Sequence, residues 1–270
     1  MITREDILTG KAKQTLKIMI NGMSGTGKTH LSLTFPKVAY LGTEPNGLDT
    51  VRSNPRLLDN LVWADEYIPS MQEDVKVTFD RLDAGITKAH ADQAKGEVET
   101  MNLDNMTYLA QNRWVYINKY ELQKTRNGEV DTRGMYGTLS RWLYNFTLTR
   151  ILSFKGNVVV TCHEQTEGEE AMENKTNKAL TIAPAILGGF RDMAAGMFSA
   201  SIFLEKKRKG ENQYEYWARC QEGNMRPAKN RYNLPEMVKD VSYKAILDNI
   251  GKGVNGPVGL NVNVNANGGK

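Results

Sequence analysis

Eight consecutive residues carry the clearest chemistry in the chain. Gly22-Met23-Ser24-Gly25-Thr26-Gly27-Lys28-Thr29 satisfies the pattern G-x-x-x-x-G-K-[ST] at every fixed position. Glycines at these places let the backbone curl until several N–H groups converge on phosphate oxygens. Lys28 is then placed to reach β- and γ-phosphates, and the Thr29 hydroxyl to bind Mg²⁺. The pattern therefore predicts a nucleoside-triphosphate site. Three acid or imidazole side chains are candidates to complete it. Asp104 closes the strand-like stretch Val98-Glu99-Thr100-Met101-Asn102-Leu103 and is placed either to hold the metal or to cap the helix that follows. Glu44 follows a short apolar run in Leu41-Gly42-Thr43-Glu44, where a carboxylate could orient an attacking water or take its proton. The same residue also opens the ordinary turn Glu44-Pro45-Asn46-Gly47. His163 follows the most apolar strand and is a candidate sensor of the γ-phosphate, with Gln165 as its rival. Three scattered histidines and two cysteines, Cys162 and Cys220, offer no ligand spacing for a separate metal site.

The elements needed to hold these groups read as alternating strands and helices. Residues 17–21, 38–41, 61–67, 98–103 and 157–162 are strand candidates. Helical patterns cover 28–35, the stretch after Pro69, 106–124 and 136–154. Residues 199–205 and 213–220, on either side of Lys206-Lys207-Arg208-Lys209-Gly210, predict a β-hairpin. Ser242 is a cap for a last short helix over 243–250. Residues 164–178 read as a long polar loop. This order predicts an α/β fold: a mostly parallel central sheet with helices on both faces and a C-terminal antiparallel hairpin. Residues 1–250 are expected to form one domain, and 251–270, rich in Gly and Asn, a disordered tail.

The bulk properties agree with that reading. The chain has 270 residues, 40% hydrophobic and 24% charged, with a formal net charge of +4 and a pI near 8.9. These values exclude a fibrous or wholly disordered chain. No apolar run of membrane-spanning length occurs. The polar N-terminus lacks a secretory pattern, which together with two cysteines predicts an intracellular, reducing compartment.

In their order, the phosphate loop at residues 22–29, Thr43-Glu44, Asp104 and Val158-Val159-Val160-Thr161-Cys162-His163-Glu164 resemble phage-encoded RecA-like P-loop ATPases. These AAA-family nucleotide-binding proteins include single-strand-annealing recombinases that retain a RecA-type core. Ala228-Lys229-Asn230-Arg231-Tyr232-Asn233-Leu234-Pro235 is similar to the family's Lys and Arg shortly before Leu-Pro. The resemblance spans residues 14–250. It implies ATP and Mg²⁺ as cofactors, Glu44 as the catalytic glutamate and Asp104 as the metal-binding aspartate. It also implies Lys229 and Arg231 as cations acting on a neighbouring subunit's γ-phosphate, hence a homo-oligomer with ATP at its interfaces. The implied function is ATP hydrolysis, stimulated by single-stranded DNA, in phage recombination, annealing or replication. A single-strand-binding protein would be a further partner, and the host cytoplasm the location, with no membrane. His163 departs from the glutamine of RecA at the sensing position.

For DNA, the stretch after Asp104 offers Lys119, Lys124, Arg126 and Arg133 among Trp114, Tyr116 and Tyr120, a mixture suited to phosphates and stacked bases. The same aromatics also fit a helix core. The stretch over 164–178 carries five acids against two lysines, a poor surface for a polyanion. The basic groove then comes either from the first stretch together with the Lys206–Lys209 hairpin or from neighbouring subunits, and a third reading is that the protein does not bind DNA directly. Two other classes stay open: a nucleotide-binding adaptor or loader without significant turnover, and a small-molecule kinase, which would need an arginine-rich lid that the chain does not display.

Overall fold

The computed structural model describes residues 15–167, 181–211 and 213–253. Apolar, β-branched runs become its central strands: β1 (Lys17–Gly22), β2 (Val38–Gly42), β3 (Leu61–Glu66), β4 (Thr100–Asp104) and β5 (Asn157–Glu167). β6 (Thr181–Pro184) folds back antiparallel on the end of β5. β7 (Ala200–Gly210) returns parallel beside β1, and β8 (Gln213–Arg219), β9 (Lys229–Asn230) and β10 (Met237–Lys239) extend the sheet antiparallel. The strand order is β10-β8-β7-β1-β5-β4-β2-β3, parallel from β7 to β3. The expected mostly parallel sheet with a C-terminal antiparallel hairpin is thus observed.

Alternation along the strands explains why both faces are apolar. Met19, Val158, Val160 and Cys162 point into one core, and Ile18, Ile20 and Val159 into the other. The first core is covered by α3 (Val75–Ala94), α4 (Met106–Tyr120), α5 (Thr132–Phe146) and α6 (Phe190–Met197). The second is covered by α1 (Lys28–Ser32), α2 (Asp49–Ser53) and α7 (Tyr243–Asn249). Side chains cap several of these helices, among them Asp74, Asn105, Asp131 and Ser242.

Several boundaries differ from expectation. α1 stops at Ser32 rather than at 35, where the Ser32 and Thr34 hydroxyls donate to backbone carbonyls and compete with the helical ladder. The helix expected after Pro69 begins at Val75, behind the Asp74 cap, and β4 begins at Thr100. The helix expected over 106–124 ends at Tyr120. The next starts early, at Thr132, because Asp131 caps it, and ends in a π-helical turn over Thr147–Ile151. β5 continues through Glu167, so the stretch read as loop is strand as far as the described residues go, paired with β6. Lys206 to Lys209 lie within β7 itself rather than in the turn. α6 carried no sequence expectation. The expected tail beyond residue 253 and the leader before residue 15 lie outside the described residues.

β7 outruns β1. Their register ends at Phe203 opposite Asn21, and β7 continues to Gly210. The overhanging hairpin, about 20 Å long at strand rise, therefore stands beside the turn that leaves β1.

Candidate functional site

The turn leaving β1 is held in a curled conformation by its glycines. Gly25 and Gly27 have φ of 74° and 91°, the left-handed region where a side chain would be strained. A Cβ on Gly22 would fall 2.5 Å from Thr26 Oγ1. The Thr26 hydroxyl closes the curl by donating to the Met23 carbonyl at 2.8 Å. Lys28 folds back over the turn, its Nζ donating to the Gly22 and Met23 carbonyls at 2.9 Å each. Burial lowers the Lys28 pKa; the Glu44 and Asp104 carboxylates raise it but do not compensate.

Thr29 begins α1 facing the end of β4. Its hydroxyl donates to Asp104 Oδ2 at 2.6 Å. Asp104 is fully buried and also accepts from Tyr40 Oη at 3.1 Å and from Thr161. Burial pushes its carboxyl above the ordinary range, and the Thr161, Thr29 and Tyr40 hydroxyls pull the other way. A hydroxyl oxygen and a carboxylate side by side at the turn form the hard-oxygen set that suits Mg²⁺ shared with phosphates. Among the described residues no cluster of three or more His, Cys, Asp or Glu forms another metal site.

Glu44 reaches the same place from β2. The Thr43 and Glu44 amides donate to the Asp104 carbonyl at 2.6 and 3.3 Å, and Thr43 Oγ1 donates to the Asn105 carbonyl at 2.6 Å. The Asp104–Asn105 peptide is cis. Asn105 Oδ1 accepts from the Tyr108 amide at the start of α4, so its Nδ2 is left to donate to Glu44 Oε2. Glu44 Oε1 lies 3.2 Å from His163 Nε2. Burial raises the Glu44 carboxyl, but the His163 hydrogen bond, the Lys28 charge and the Asn105 amide outweigh it and hold it below the ordinary value.

His163 sits opposite Gly22 in the β1–β5 register. Its Nδ1 is 3.3 Å from Lys28 Nζ. An ammonium only donates, so Nδ1 accepts and Nε2 carries the hydrogen given to Glu44. The ring is fixed from behind by its own amide, which donates to Thr107 Oγ1 at 3.0 Å, and by the Tyr108 ring packed edge-on. Lys28, His163, Glu44 and Asn105 thus form one continuous hydrogen-bonded chain across three strand ends. Its Lys28, His163 and Glu44 line a cleft of about 360 Å³ together with Ser24, Gly25, Gly27 and Thr29, with Asn105 buried behind them. Next to it, burial pushes the Cys162 thiol up to about 12, so this sulfur is no nucleophile.

Other sequence-predicted residues lie elsewhere. Gln165, the rival sensor, is exposed and pairs opposite Ala183 in the β5–β6 ladder. Lys229 opens the two-residue strand β9, which joins the start of β7, and Arg231 directly follows it. This is the end of the sheet opposite the glycine turn, where Lys229 Nζ donates to the Gly196 carbonyl at 2.5 Å. On α4, Trp114 and Tyr116 pack against other side chains, whereas Tyr120 is exposed. Trp114 stacks on Tyr136 at 4.3 Å, Tyr116 meets Phe79 and Arg113, and Tyr120 and Lys119 both bond Asp74. Lys124, Arg126 and Arg133 are exposed beyond them.

Sequence reasoning assigned no role to Tyr40, Thr43, Asn105, Thr107 or Thr161. Asn105 had a local signal, since it directly follows Asp104 at a helix start. Tyr40 and Thr43 come from β2 and its end, Thr107 from α4 and Thr161 from β5, and only the sheet order brings them together.

The AAA domain family model matches residues 14–232. No curated protein sequence matches the chain. Among solved structures, a KaiC-like protein from the hyperthermophilic archaeon Pyrococcus horikoshii aligns over 77% of this chain and 79% of its own, at 12% identity and a TM-score of 0.40. A prototypical ATPase from the type III secretion system of pathogenic bacteria aligns over 70% of this chain and 51% of its own, at 12% identity and a TM-score of 0.42. The chain thus covers about half the length of the second.

Proposed function

The chain belongs to the AAA domain family, and from that premise we propose that it binds ATP with Mg²⁺ and hydrolyses it by in-line attack of water on the γ-phosphate. Its fold is that of a RecA-like P-loop nucleotide-binding domain, and no described helix is long and apolar enough to cross a membrane. The amides of the turn over residues 22–29 cradle phosphate oxygens, and Lys28 exchanges its two carbonyl contacts for the β- and γ-phosphates. Thr29 and Asp104 would hold Mg²⁺, which supplies further neutralisation of phosphate charge when bound. Glu44 orients the attacking water and takes its proton; His163 and Asn105 aim its carboxylate. His163, in contact with both Lys28 and Glu44, senses whether the γ-phosphate is present.

The observation that carries this reading is the Lys28–His163–Glu44–Asn105 chain beside the Thr29–Asp104 pair. Two variants test it. Lys28→Ala should lose ATP binding, whereas Glu44→Gln should keep binding and lose turnover by about a hundredfold or more. Wild-type turnover in Glu44→Gln would refute the assignment.

We further propose that this ATPase, a single domain over residues 1–250, works on single-stranded DNA in phage recombination, annealing or replication. The motif order supports this. So do the exposed cations Lys124, Arg126 and Arg133 and those of the β7–β8 hairpin. Lys229 and Arg231 are too far along the sheet to serve their own subunit's site, so their proposed role requires a homo-oligomer with ATP at the interface. One observation favours the adaptor reading instead: two of the α4 rings that would stack on bases are already packed, Trp114 against Tyr136 and Tyr116 against Phe79 and Arg113. Hydrolysis rate with and without single-stranded DNA, at low and moderate salt, separates the two. Stimulation that weakens with salt supports DNA action; an unchanged rate supports the adaptor.

A further inference from the structure

A second cavity, of about 420 Å³, opens on the other side of the same turn. This volume is in the range of small-molecule sites. It meets the phosphate cleft at Gly27 and His30, which line both. The lining changes character across that boundary. The cleft presents Lys28, Thr29, Glu44 and His163, whereas the second cavity presents Leu31, Leu204, Val241, the Tyr216 ring and one carboxylate, Asp240.

Tyr216 stands on the overhanging hairpin, opposite Lys206. A Cβ on Gly27 would meet its ring at 3.7 Å, so the ring abuts the turn, and the side chain is still 39% exposed. Asp240 follows β10 with a left-handed φ of 50°, and its amide donates to the Tyr216 carbonyl at 3.0 Å. That bond ties the carboxylate's position to the ring's. The carboxylate accepts no hydrogen bond among the described residues, although it adds to the charge that raises the pKa of Lys239. An aromatic face, aliphatic walls and one acceptor-only group beside a triphosphate turn match a flat heteroaromatic ring bearing an exocyclic amine.

We propose that this cavity receives the base of the bound nucleotide, with Tyr216 stacking on adenine and Asp240 accepting from its exocyclic amino group. The inference rests on reading the turn as a triphosphate site and names what selects the nucleotide there. Hypoxanthine and guanine present a carbonyl oxygen where adenine has its amine, and that oxygen would face the carboxylate lone pair to lone pair.

The test is calorimetric binding of ATP, ITP, GTP and inorganic tripolyphosphate, all with Mg²⁺, to the full chain and to Tyr216→Ala and Asp240→Asn. The wild type should bind ATP at least about tenfold tighter than ITP or GTP. Asp240→Asn should collapse or invert the ATP-to-ITP ratio, because an amide can donate to the carbonyl. Tyr216→Ala should weaken ATP by about tenfold or more and leave tripolyphosphate unchanged. Equal affinities for the three nucleotides in the wild type, tighter GTP, an unaltered ratio in Asp240→Asn, or equal losses of ATP and tripolyphosphate in Tyr216→Ala would each overturn the base site alone. Failure of the wild type to bind both ATP and tripolyphosphate would instead overturn the triphosphate reading, and this inference with it.

Discussion

Replacing Asp104 by asparagine separates stability from function at one atom. The wild-type carboxylate is fully buried beneath three hydroxyl donors, Thr29, Tyr40 and Thr161. Each bond to a charged acceptor contributes about 1.5–3 kcal/mol, yet burying the charge costs several kcal/mol. The upward direction of the Asp104 pKa says that burial wins. An amide keeps the shape, and because hydroxyls both donate and accept, they can turn to satisfy its NH₂. Asp104→Asn should therefore stabilise the nucleotide-free protein by about 1–3 kcal/mol. At about 2–4 °C per kcal/mol for a chain of this size, Tm rises by roughly 2–12 °C near neutral pH. The sign with pH follows from linkage. A carboxyl raised in the fold binds its proton more tightly folded than unfolded, so its penalty is complete above the folded pKa and vanishes below the ordinary carboxylate range. The gap between variant and wild type should therefore narrow as pH falls toward about 4. The functional effect is opposite. With ATP and Mg²⁺ at a hundred times Kd, the wild type gains about 2.7 kcal/mol, and the variant should gain far less and show no measurable turnover. Thermal unfolding across pH, with and without nucleotide, reads both effects. A variant that melts several degrees lower at neutral pH, or that still hydrolyses ATP, would refute the reasoning.

Gly22→Ala drives a Cβ to 2.5 Å from Thr26 Oγ1 and should weaken ATP binding at least tenfold with little change in Tm, measured by calorimetry and melting on one sample. Gly156→Ala meets the Glu99 carbonyl at 2.3 Å, backbone that cannot yield, and should cost about 3 kcal/mol in denaturant unfolding without altering affinity in the fraction that remains folded. Because the Glu44 carboxyl is held below its ordinary value, its base form is complete above about pH 5. The acid limb of kcat assigned to Glu44 must then lie below that pH, and a limb near neutrality that disappears in Glu44→Gln would contradict the geometry.

The glycine turn and the strands around it were legible because their signals are local. Three glycines and a lysine within eight residues specify the curl, and Val158-Val159-Val160 can hardly be other than a buried strand. The contacts that make the site work are not local. His163 meets Glu44 across 119 residues and Asn105 meets Glu44 across 61. They become neighbours only because β5 inserts between β1 and β4, an order that no window of sequence contains. Glu164-Gln165-Thr166-Glu167 read as loop because a strand whose neighbour is β6 alone needs no apolar alternation. Glu164 is instead held by Arg226, whose guanidinium donates to both of its oxygens at 3.0 and 3.2 Å. Trp114, Tyr116 and Tyr120 carry two readings in the sequence, a stacking platform and a helix core, because aromatic composition on a helix does not separate them; the contacts of Trp114 with Tyr136 and of Tyr116 with Phe79 come only from the fold.

β5 changes partners between two consecutive residues. Through His163 it runs beside Gly22, and the His163 carbonyl already accepts from the Ala185 amide. From Glu164 onward it is laced to β6. Two pairing frames thus meet at a single peptide link with no slack between them. One residue inserted there would leave the imidazole in place but turn over every side chain that follows, sending Glu164 to the face away from Arg226. Substitutions at this joint can be absorbed; changes in its length cannot.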